Sequence, residues 1–424
     1  MPPYPDKLPD GGSDPNVIEK TYTIDVITPL FGGGYEAGTV DPDMPIRASS
    51  IRGHLRFWWR ATRGARYDNV KELRQREGEI WGSTENPSPV VVGVDIVSRG
   101  KTYPCAYAPD ERSPRFENDH LQYVLFPFQG SSRQNIPIGD CTAGISFRLT
   151  ISCPDKLSRE VDAALWAWVN FGGVGARTRR GCGALCCQDL SPPDYAGIGD
   201  WYKRCLEKFE IVPSSSRKWP TLPDKILIKN GNSVDALQCW SDVIGLLQTF
   251  RQGKNVGRNP GNNSSRPGRS RWPEPESIRR ITGDRARKYQ RMEHIPDNAA
   301  FPRAEFGLPI VFNLPAQGDP GTLELYPVVG GSEKTRMASP LILRPLKCSN
   351  GIFAQLVLQL AAAPVQKVVL KRERRALQSS TTIRGTHLAT YRNSPMASRS
   401  GEGSALDAFL AYAKEDLQGF TEVP

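Results

Sequence analysis

Residues 49–63 read SSIRGHLRFWWRATR and divide into two faces when they are wound as a helix. At about 100° per residue, an apolar stripe forms along one side, made of Ile51, Leu55, Trp58 and Thr62. A second stripe lies roughly a third of a turn away, made of Arg52, Arg56, Arg60 and Arg63, with Trp59 at its border. The sequence contains no acid between Asp43 and Asp68. The second stripe is therefore predicted to be a cationic surface.

The start of this helix adds a second feature that suits a polyanion. Ser49 or Ser50 is expected to cap the helix, which follows a glycine-rich turn, GGGYEAG (32–38). The unbonded N–H groups and positive dipole end of a helix start suit a phosphate, and aligned arginines suit a row of phosphates. The alternative is an ordinary amphipathic helix with a solvated face, but a solvating face rarely lacks acids. The predicted nucleic-acid contacts of this region are Gly32, Gly33, Gly34, Arg47, Ser50, Arg52, His54, Arg56, Trp59 and Arg60.

Composition places the chain among basic globular proteins. Its 424 residues suffice for two ordinary domains, and its net charge is +10. Between Arg251 and Arg291, twelve basic residues stand against three acids, so one segment holds nearly all of the imbalance and favours a polyanionic partner. The nine cysteines form no CxxC pair, which indicates buried thiols rather than a metal site. Without a signal peptide or a membrane-length apolar run, a reduced, cytoplasmic protein with no membrane partner is expected.

Periodicity predicts the order of secondary structure. Strand and helix patterns follow the order β–α–β–β–α, in residues 21–30, 49–63, 90–97, 144–152 and 155–171. With the glycine-rich turn and strand that come next, this order predicts a ferredoxin-like unit, the layout of RNA-recognition modules. Strand-like segments at 307–314, 323–329, 339–346 and 351–360, with a helix at 405–418, predict a looser second unit. A helix pattern at 233–250 leads into the basic segment.

We therefore predict an α+β protein with two tandem ferredoxin-like (RNA-recognition-like) domains and a basic, partly helical insertion. The predicted boundaries are a flexible N-terminal arm at 1–16, a first domain at 17–215, a helical and basic linker or insertion at 216–303, and a second domain at 304–424.

A second glycine- and arginine-rich element, GGVGARTRRGCGAL (172–185), follows the helix of residues 155–171. Glycines let a backbone approach a ligand closely, and successive N–H groups form anion-binding concavities. The element lacks the GK[ST] ending of a nucleotide P-loop and follows a helix rather than a strand. A flexible turn with incidental charge is the alternative, but a similar element at 32–60 favours binding of an RNA backbone. The predicted contacts are Gly173, Gly175, Arg177, Thr178, Arg179, Arg180, Gly181 and Gly183.

The basic segment RQGKNVGRNPGNNSSRPGRSRWPEPESIRR (251–280) is poor in apolar residues. It is predicted to become ordered only on contact with its partner, although a solvated linker is the alternative. Trp272 beside Arg271 offers an aromatic ring that could stack on an unpaired base. The predicted contacts are Arg258, Arg266, Arg269, Arg271, Trp272, Arg279 and Arg280.

The sequence gives little support for catalysis. Metal-dependent nucleases need grouped carboxylates, whereas Asp41 and Asp43 stand alone in a loop. The histidines are scattered rather than paired; they are His54, His120, His294 and His387. We therefore predict no catalytic residue, no metal ligand and no cofactor.

Several motifs resemble one known family. Residues 28–64, TPLFGGGYEAG…RASSIRGHLRFWWRATRG, resemble the opening motif of the first-subunit family of the Cmr complex, the type III-B CRISPR effector built from RAMP-superfamily proteins. The GGVGARTRRGCG loop is similar to the glycine-rich loop of that superfamily. Residues 257–280 resemble the family's internal basic motif, and 307–312 with 336–346 are similar to its second half.

The resemblance implies a non-catalytic RNA-binding subunit of an antiviral ribonucleoprotein. Such a subunit holds the 3′ part of the guide (CRISPR) RNA and engages target RNA, beside other Cmr-complex subunits and without a small-molecule cofactor. The RNA-facing positions that the resemblance implies are Arg52, Arg56 and Arg60, the 173–183 loop, and Arg258 to Arg280. One alternative is a metal-independent endoribonuclease that processes guide RNA. Another is an assembly subunit whose arginines pair with acidic neighbours.

Overall fold

The strands of this protein form antiparallel sheets with helices packed on them. The computed structural model describes residues 16–34, 36, 38–105, 119–128, 130, 137–213, 218–261, 268–289, 300–382, 394–397, 399 and 403–424. The strands are β1 (Val17–Val26), β2 (Leu30–Phe31), β3 (Val91–Pro104), β4 (Asp140–Pro154), β5 (Leu185–Cys186), β6 (Ile226–Ser233), β7 (Ile310–Leu314), β8 (Gly321–Val329), β9 (Ser332–Glu333), β10 (Leu341–Lys347), β11 (Phe353–Gln359), β12 (Lys367–Arg372), β13 (Arg375–Thr382) and β14 (Thr421–Val423). The helices are α1 (Ala48–Ala61), α2 (Val70–Trp81), α3 (Asp119–Leu125), α4 (Ser158–Phe171), α5 (Ile198–Lys208), α6 (Ala236–Gln252), α7 (Glu274–Thr282) and α8 (Ala405–Ala413).

The first sheet is centred on β4, which pairs with β1, β2 and β3, while β5 pairs with β1. The elements β1, α1, β3, β4, α4 and β5 follow one another in the order β–α–β–β–α–β that the periodicity predicts. Alternate side chains of β4 are buried, because one face of the sheet packs on α1 and α4. The apolar stripe of α1 packs against α4, and Ile51 and Leu55 are fully buried there.

The start of α1 differs from the prediction. The helix begins at Ala48 after Arg47, and no side chain caps it. Ser49 and Ser50 are therefore within the first turn, where both are exposed. The predicted serine cap is wrong, because the chain enters the helix two residues earlier than the serine pair suggests.

The second sheet has the strand order β10-β11-β6-β14. Its elements β6, α6, β10, β11, α8 and β14 repeat the order of the first sheet, and the strand positions correspond. β6 begins at Ile226, and α6 packs against β10 and β11. The helix predicted at 233–250 is thus part of this layer, and the predicted boundary at 304 does not coincide with the start of the second sheet.

A third sheet has the order β13-β12-β8-β7, with β9 beside β8. Together with α7 it has a core of its own, which includes Ile278, Phe312 and Leu325. The segments 307–314 and 323–329 therefore form a separate small sheet and do not extend the second one. Alternation of apolar residues specifies a strand but not the sheet that the strand joins. For this reason, the prediction that these two segments share a unit with 339–346 and 351–360 is wrong.

Arg344 ties the first two layers together. It lies on β10 with no exposed surface, and it donates to the carbonyls of Val169 at 3.0 Å and Gly172 at 2.6 Å, at the end of α4. Carbonyls at a helix end have no partner within the helix, so the guanidinium satisfies them while they compensate its buried charge. α4 is consequently buried between the two sheets.

Candidate nucleic-acid interface

Most of the predicted arginine stripe on α1 is already paired with acids. Arg56 Nε and Arg60 donate to the same carboxylate oxygen of Glu77, at 2.7 and 2.6 Å. Glu77 lies on α2 and is buried. Arg63 is also buried and binds Glu160 of α4 at 3.1 Å. The prediction of a carboxylate-free stripe is therefore wrong: the acids come from other helices, which the local sequence does not show.

Glu160 of α4 binds the end of α1 and the residues that follow it through hydrogen bonds. It accepts hydrogen bonds from Trp59 Nε1 at 2.7 Å and from Arg63 and Arg66. Burial by itself raises the pKa of Glu160, but the hydrogen bonds from Trp59 and Arg63 and the nearby guanidiniums outweigh it and hold the pKa below its ordinary value. Trp59 has no exposed surface, so its predicted contact with a nucleic acid is wrong.

Two arginines of the α1 region remain without an acid among the described residues. Arg52 is half-buried, and its Nε lies buried without a hydrogen-bond partner. Arg47 donates to the carbonyl of Gly33, which joins the helix start to the glycine turn. His54 lies nearby, stacked on Trp168 with ring centres 6.0 Å apart, and burial lowers its pKa. The start of α1 thus carries two guanidiniums, those of Arg47 and Arg52, without an acidic partner among the described residues.

The two glycine-rich elements, far apart in sequence, are in contact. A Cβ on Gly33 would lie 3.6 Å from the Cα of Gly175, and the N–H of Ala176 donates to the carbonyl of Phe31 at 2.7 Å. Gly175 has φ +77°, and a Cβ there would lie 2.7 Å from the same Phe31 carbonyl. Only glycine readily adopts this positive φ and also leaves room for the Phe31 carbonyl. The glycine turn at 32–34 and the 173–183 loop, which the sequence predicts separately as RNA contacts, therefore lie side by side in the structure.

The loop presents three arginines with no acidic partner among the described residues. Arg180 donates to the carbonyls of Leu341 at 2.6 Å and Phe306 at 3.0 Å, and Arg179 donates to the Ser339 carbonyl. Arg177 is exposed and has a left-handed backbone with φ 56°. Burial lowers the pKa of Arg180, and repulsion from the other guanidiniums lowers it further. These repelling groups are Arg177, Arg251 and Arg179.

We call these four residues, Arg177, Arg179, Arg180 and Arg251, the arginine cluster. Arg251 lies in the last turn of α6, and the sequence places it in the basic segment but does not mark it as a contact. It donates to the Tyr123 hydroxyl at 2.7 Å, and its carbonyl accepts from Trp272 Nε1 at 2.9 Å. Trp272 is 2% exposed, so the predicted stacking of Trp272 on a base is wrong. Tyr123 gave no signal in the sequence, because α3 lies in a stretch without a motif.

The basic segment is folded in its described parts. The N–H of Arg258 donates to the Gly253 carbonyl at 3.0 Å, and that of Arg271 donates to the Gly257 carbonyl at 2.9 Å. Arg258 and Arg271 bind only amide and carbonyl oxygens among the described residues. Arg266 lies outside the described residues.

Buried acids engage two other predicted contacts of this segment. Glu276 binds Arg269 at 3.0 Å and Arg279 at 2.7 Å, and Arg279 also binds Asp319. Arg279 is 5% exposed, so its predicted role as a contact is wrong. Arg280, the last residue of the segment, is half-buried. The segment, α7 and β7 enclose a cleft of about 990 Å³, which Arg258 and Lys288 line.

Asp41, one of the two carboxylates considered for catalysis, has a structural role, and His294 and His387 lie outside the described residues. The Asp41 carboxylate accepts from the N–H groups of Asp43 at 3.1 Å and Met44 at 3.0 Å, as in an ordinary turn. Within the described ranges, no three His, Cys, Asp or Glu side chains are grouped so that they could hold a metal ion. Over the same residues, no helix is both long and apolar enough to cross a membrane.

Comparison with known proteins gives the family. The RAMP superfamily profile matches residues 23–186. The CRISPR system Cmr subunit Cmr1-2 of Pyrococcus furiosus is 30% identical over 186 residues, which are 41% of this chain and 97% of that protein. Subunit Cmr1-1 of the same organism is 28% identical over 215 residues, which are 50% of this chain and 61% of that protein.

A solved structure is also similar. The apo crystal structure of Cmr1 from Pyrococcus furiosus has a TM-score of 0.49 and 17% identity, and the match covers 86% of this chain and 94% of that one. The match to Cmr1-2 spans nearly the whole of that subunit, and the RAMP superfamily match, over residues 23–186, includes both glycine-rich elements of the interface. The chain belongs to the RAMP superfamily and, within it, to the Cmr1 family of CRISPR-system subunits.

Proposed function

We propose that this chain is a non-catalytic, RNA-binding subunit of a type III-B CRISPR effector ribonucleoprotein, in which it holds the 3′ part of the guide RNA and engages target RNA. One observation carries the proposal: the glycine turn at 32–34, the 173–183 loop and the arginine cluster are adjacent. Among the described residues, no carboxylate neutralises Arg177, Arg179 or Arg180. Other Cmr-complex subunits are its proposed protein partners.

The chemistry of the surface suits a sugar–phosphate backbone. Guanidiniums and N–H groups contact phosphate oxygens without reading bases, so such a surface accepts any guide sequence. Sequence selection is then left to base pairing between guide and target, as in other RNA-guided systems. A surface with no acids also avoids repulsion of the phosphates.

The two matching sheets support a domain proposal. The first and second sheets share an element order and a strand order, in which the fourth strand lies beside the first and the third beside the second. We interpret them as two ferredoxin-like domains, the first at 17–215 and the second interrupted by the third sheet. On this interpretation, the 173–183 loop belongs to the first domain and contacts the second, because Trp240 of α6 donates to the Arg180 carbonyl at 2.6 Å.

Charge reversal at Arg177 tests RNA binding. Arg177→Glu replaces an exposed cation with an anion, and we expect the affinity of the purified chain for the 3′ part of a guide RNA to fall about tenfold or more. Arg204→Glu on α5 is the matched control, because Arg204 is equally exposed and the charge change is the same. Both melting temperatures should equal that of the wild type. Equal RNA affinity of the two variants would contradict the proposal.

The endoribonuclease alternative has its own test. The purified chain is incubated with repeat RNA, with and without divalent metal, and we expect no defined product. His54 is half-buried with a lowered pKa, and Asp41 is bound within its turn. A defined cut that His54→Ala or Asp41→Ala abolishes would show that the chain is an enzyme.

A further inference from the structure

Phe126 stands out among the aromatic residues that the structure describes, because its ring is exposed. Its side chain is 69% exposed. Every other phenylalanine, tyrosine and tryptophan among the described residues is buried or half-buried. A single exposed apolar side chain is ordinary in a soluble protein. The surroundings of Phe126 therefore decide whether its exposure has a role.

On one side, Phe126 is close in sequence to a residue that contacts the arginine cluster. It directly follows α3 and stands three residues after Tyr123, whose hydroxyl accepts a hydrogen bond from Arg251 at 2.7 Å. The Arg251 guanidinium also lies over the Tyr123 ring, 5.9 Å from its centre, so this end of α3 contacts the arginine cluster. Phe126 thus follows, within one helical turn, the residue of α3 that contacts this cluster.

On the other side, the same turn supports the glycine elements. Phe128 is buried, and its ring centre lies 5.4 Å from that of Phe31. A Cβ on Gly32 would lie 3.9 Å from Cε1 of Phe128. The Phe128 carbonyl accepts from the N–H of Gly139 at 2.9 Å. Phe128 thus packs against the glycine turn, and Phe126 belongs to the same short helical turn, between Tyr123 and Phe128 in the chain.

We propose that Phe126 stacks on one unpaired base of the bound RNA, an inference that rests on the proposed function and specifies a single-stranded segment as its ligand. A strand whose phosphates face the arginine cluster turns its bases away from the guanidiniums, and a neighbouring aromatic ring can then cover one of them. Stacking on a ring accepts every base, which suits a guide of any sequence. The tryptophans that the sequence offered for this task, Trp59 and Trp272, are buried.

The test uses the full-length chain and a single-stranded RNA of mixed sequence. Phe126→Leu keeps an apolar side chain and removes the ring, and we expect about tenfold weaker binding. Phe126→Trp should bind as tightly as the wild type. Leu417→Ala, at a residue that is 91% exposed elsewhere, is the control and should change nothing. The dependence of affinity on salt should be the same for all of them, because no charge is altered.

A set of RNAs that each lack one base locates the contact. The wild type should lose affinity for the RNA that lacks the stacked base, and Phe126→Leu should bind that RNA and the intact RNA equally. If Phe126→Leu binds intact RNA like the wild type while Arg177→Glu binds it weakly, the stacking inference is wrong and the proposed function stands. If neither substitution weakens binding, both are wrong. Unchanged melting temperatures establish that each variant is folded.

Discussion

Arg52 and Arg56 stand one turn apart on α1 and have opposite electrostatic surroundings. Arg56 shares the buried Glu77 carboxylate with Arg60, so moving its guanidinium onto a phosphate would leave a buried acid with less compensation. Arg52 has no acidic partner among the described residues, and its Nε has no hydrogen-bond partner. An arginine without a fixed counter-charge binds a phosphate at lower cost. At this scale, the pairing of each arginine indicates its role better than its position on the helix does.

Substitution of each arginine by methionine tests this difference. Arg52→Met breaks no ion pair, so the melting temperature should not change, but RNA affinity should fall about tenfold. Arg56→Met removes one of two partners of Glu77, so the free energy of unfolding should fall by about 1 kcal/mol with unchanged RNA affinity. Each variant loses one positive charge from the same helix, so they control for one another. An Arg56→Met protein of normal stability and weak RNA binding would reverse the two assignments.

At the scale of elements, contact between the two glycine-rich elements depends on the missing Cβ of Gly175. We expect Gly175→Ala to destabilise the protein and to weaken RNA binding, since its Cβ would press on the Phe31 carbonyl at 2.7 Å. Gly283→Ala is the matched control, because φ is +76° and no atom lies within 4 Å of its Cβ. Both variants bear the same backbone strain, about 1 kcal/mol. Gly175→Ala should lose about 1–3 kcal/mol more, measured by denaturant unfolding.

Similar losses for the two glycine variants would show that the contact with Phe31 tolerates a methyl group. The two elements would then not depend on close backbone approach. A loss of RNA affinity confined to Gly175→Ala is the result expected if the elements act together.

The attachment of α1 to α4 should depend on pH through Glu160. Its pKa is lowered in the folded protein, so it contributes stability above its ordinary value of 4.5, and that contribution is lost as the pH falls through the lower folded value. The melting temperature of the wild type should therefore drop below pH 4.5. Glu160→Gln should be less stable at neutral pH by about 2 kcal/mol, because the buried Arg63 loses one of its two carboxylate partners and keeps only Glu210. Its melting temperature should fall less in acid; an equally steep fall would show that other carboxylates control the acid transition.

The sequence predicts those parts of the fold that local periodicity controls. The buried stripe of α1, the alternation of β4 and the order of elements in the first sheet all follow from residue spacing. The pairing of Arg56 with Glu77 does not, because the acid comes from another helix. The burial of Trp272 does not follow either: it depends on Phe250 of α6, whose ring centre is 5.5 Å away. The sequence indicates which residues are basic or aromatic, but only the packing determines which of them face solvent.

For the whole molecule, arginines with no acidic partner among the described residues extend from the first sheet across to the basic segment. Arg177 lies in the loop that follows α4, and Arg251 connects it to the fold of the basic segment, where Arg258 lies. If one RNA strand follows this path, both Arg177 and Arg258 contact phosphates of the same strand. The number of phosphates contacted can be measured, because each one releases counterions.

Measurement of RNA affinity over a range of salt concentrations tests this path. For a single-stranded RNA, the slope of log affinity against log salt should decrease by about 0.7 for Arg177→Gln and by a similar amount for Arg258→Gln. The double variant should lose about twice as much, since the two sites are separate and their effects add. Arg204→Gln should leave the slope unchanged. A normal slope for Arg258→Gln, with a reduced slope for Arg177→Gln, would mean that the RNA leaves the protein at the arginine cluster and does not reach the basic segment.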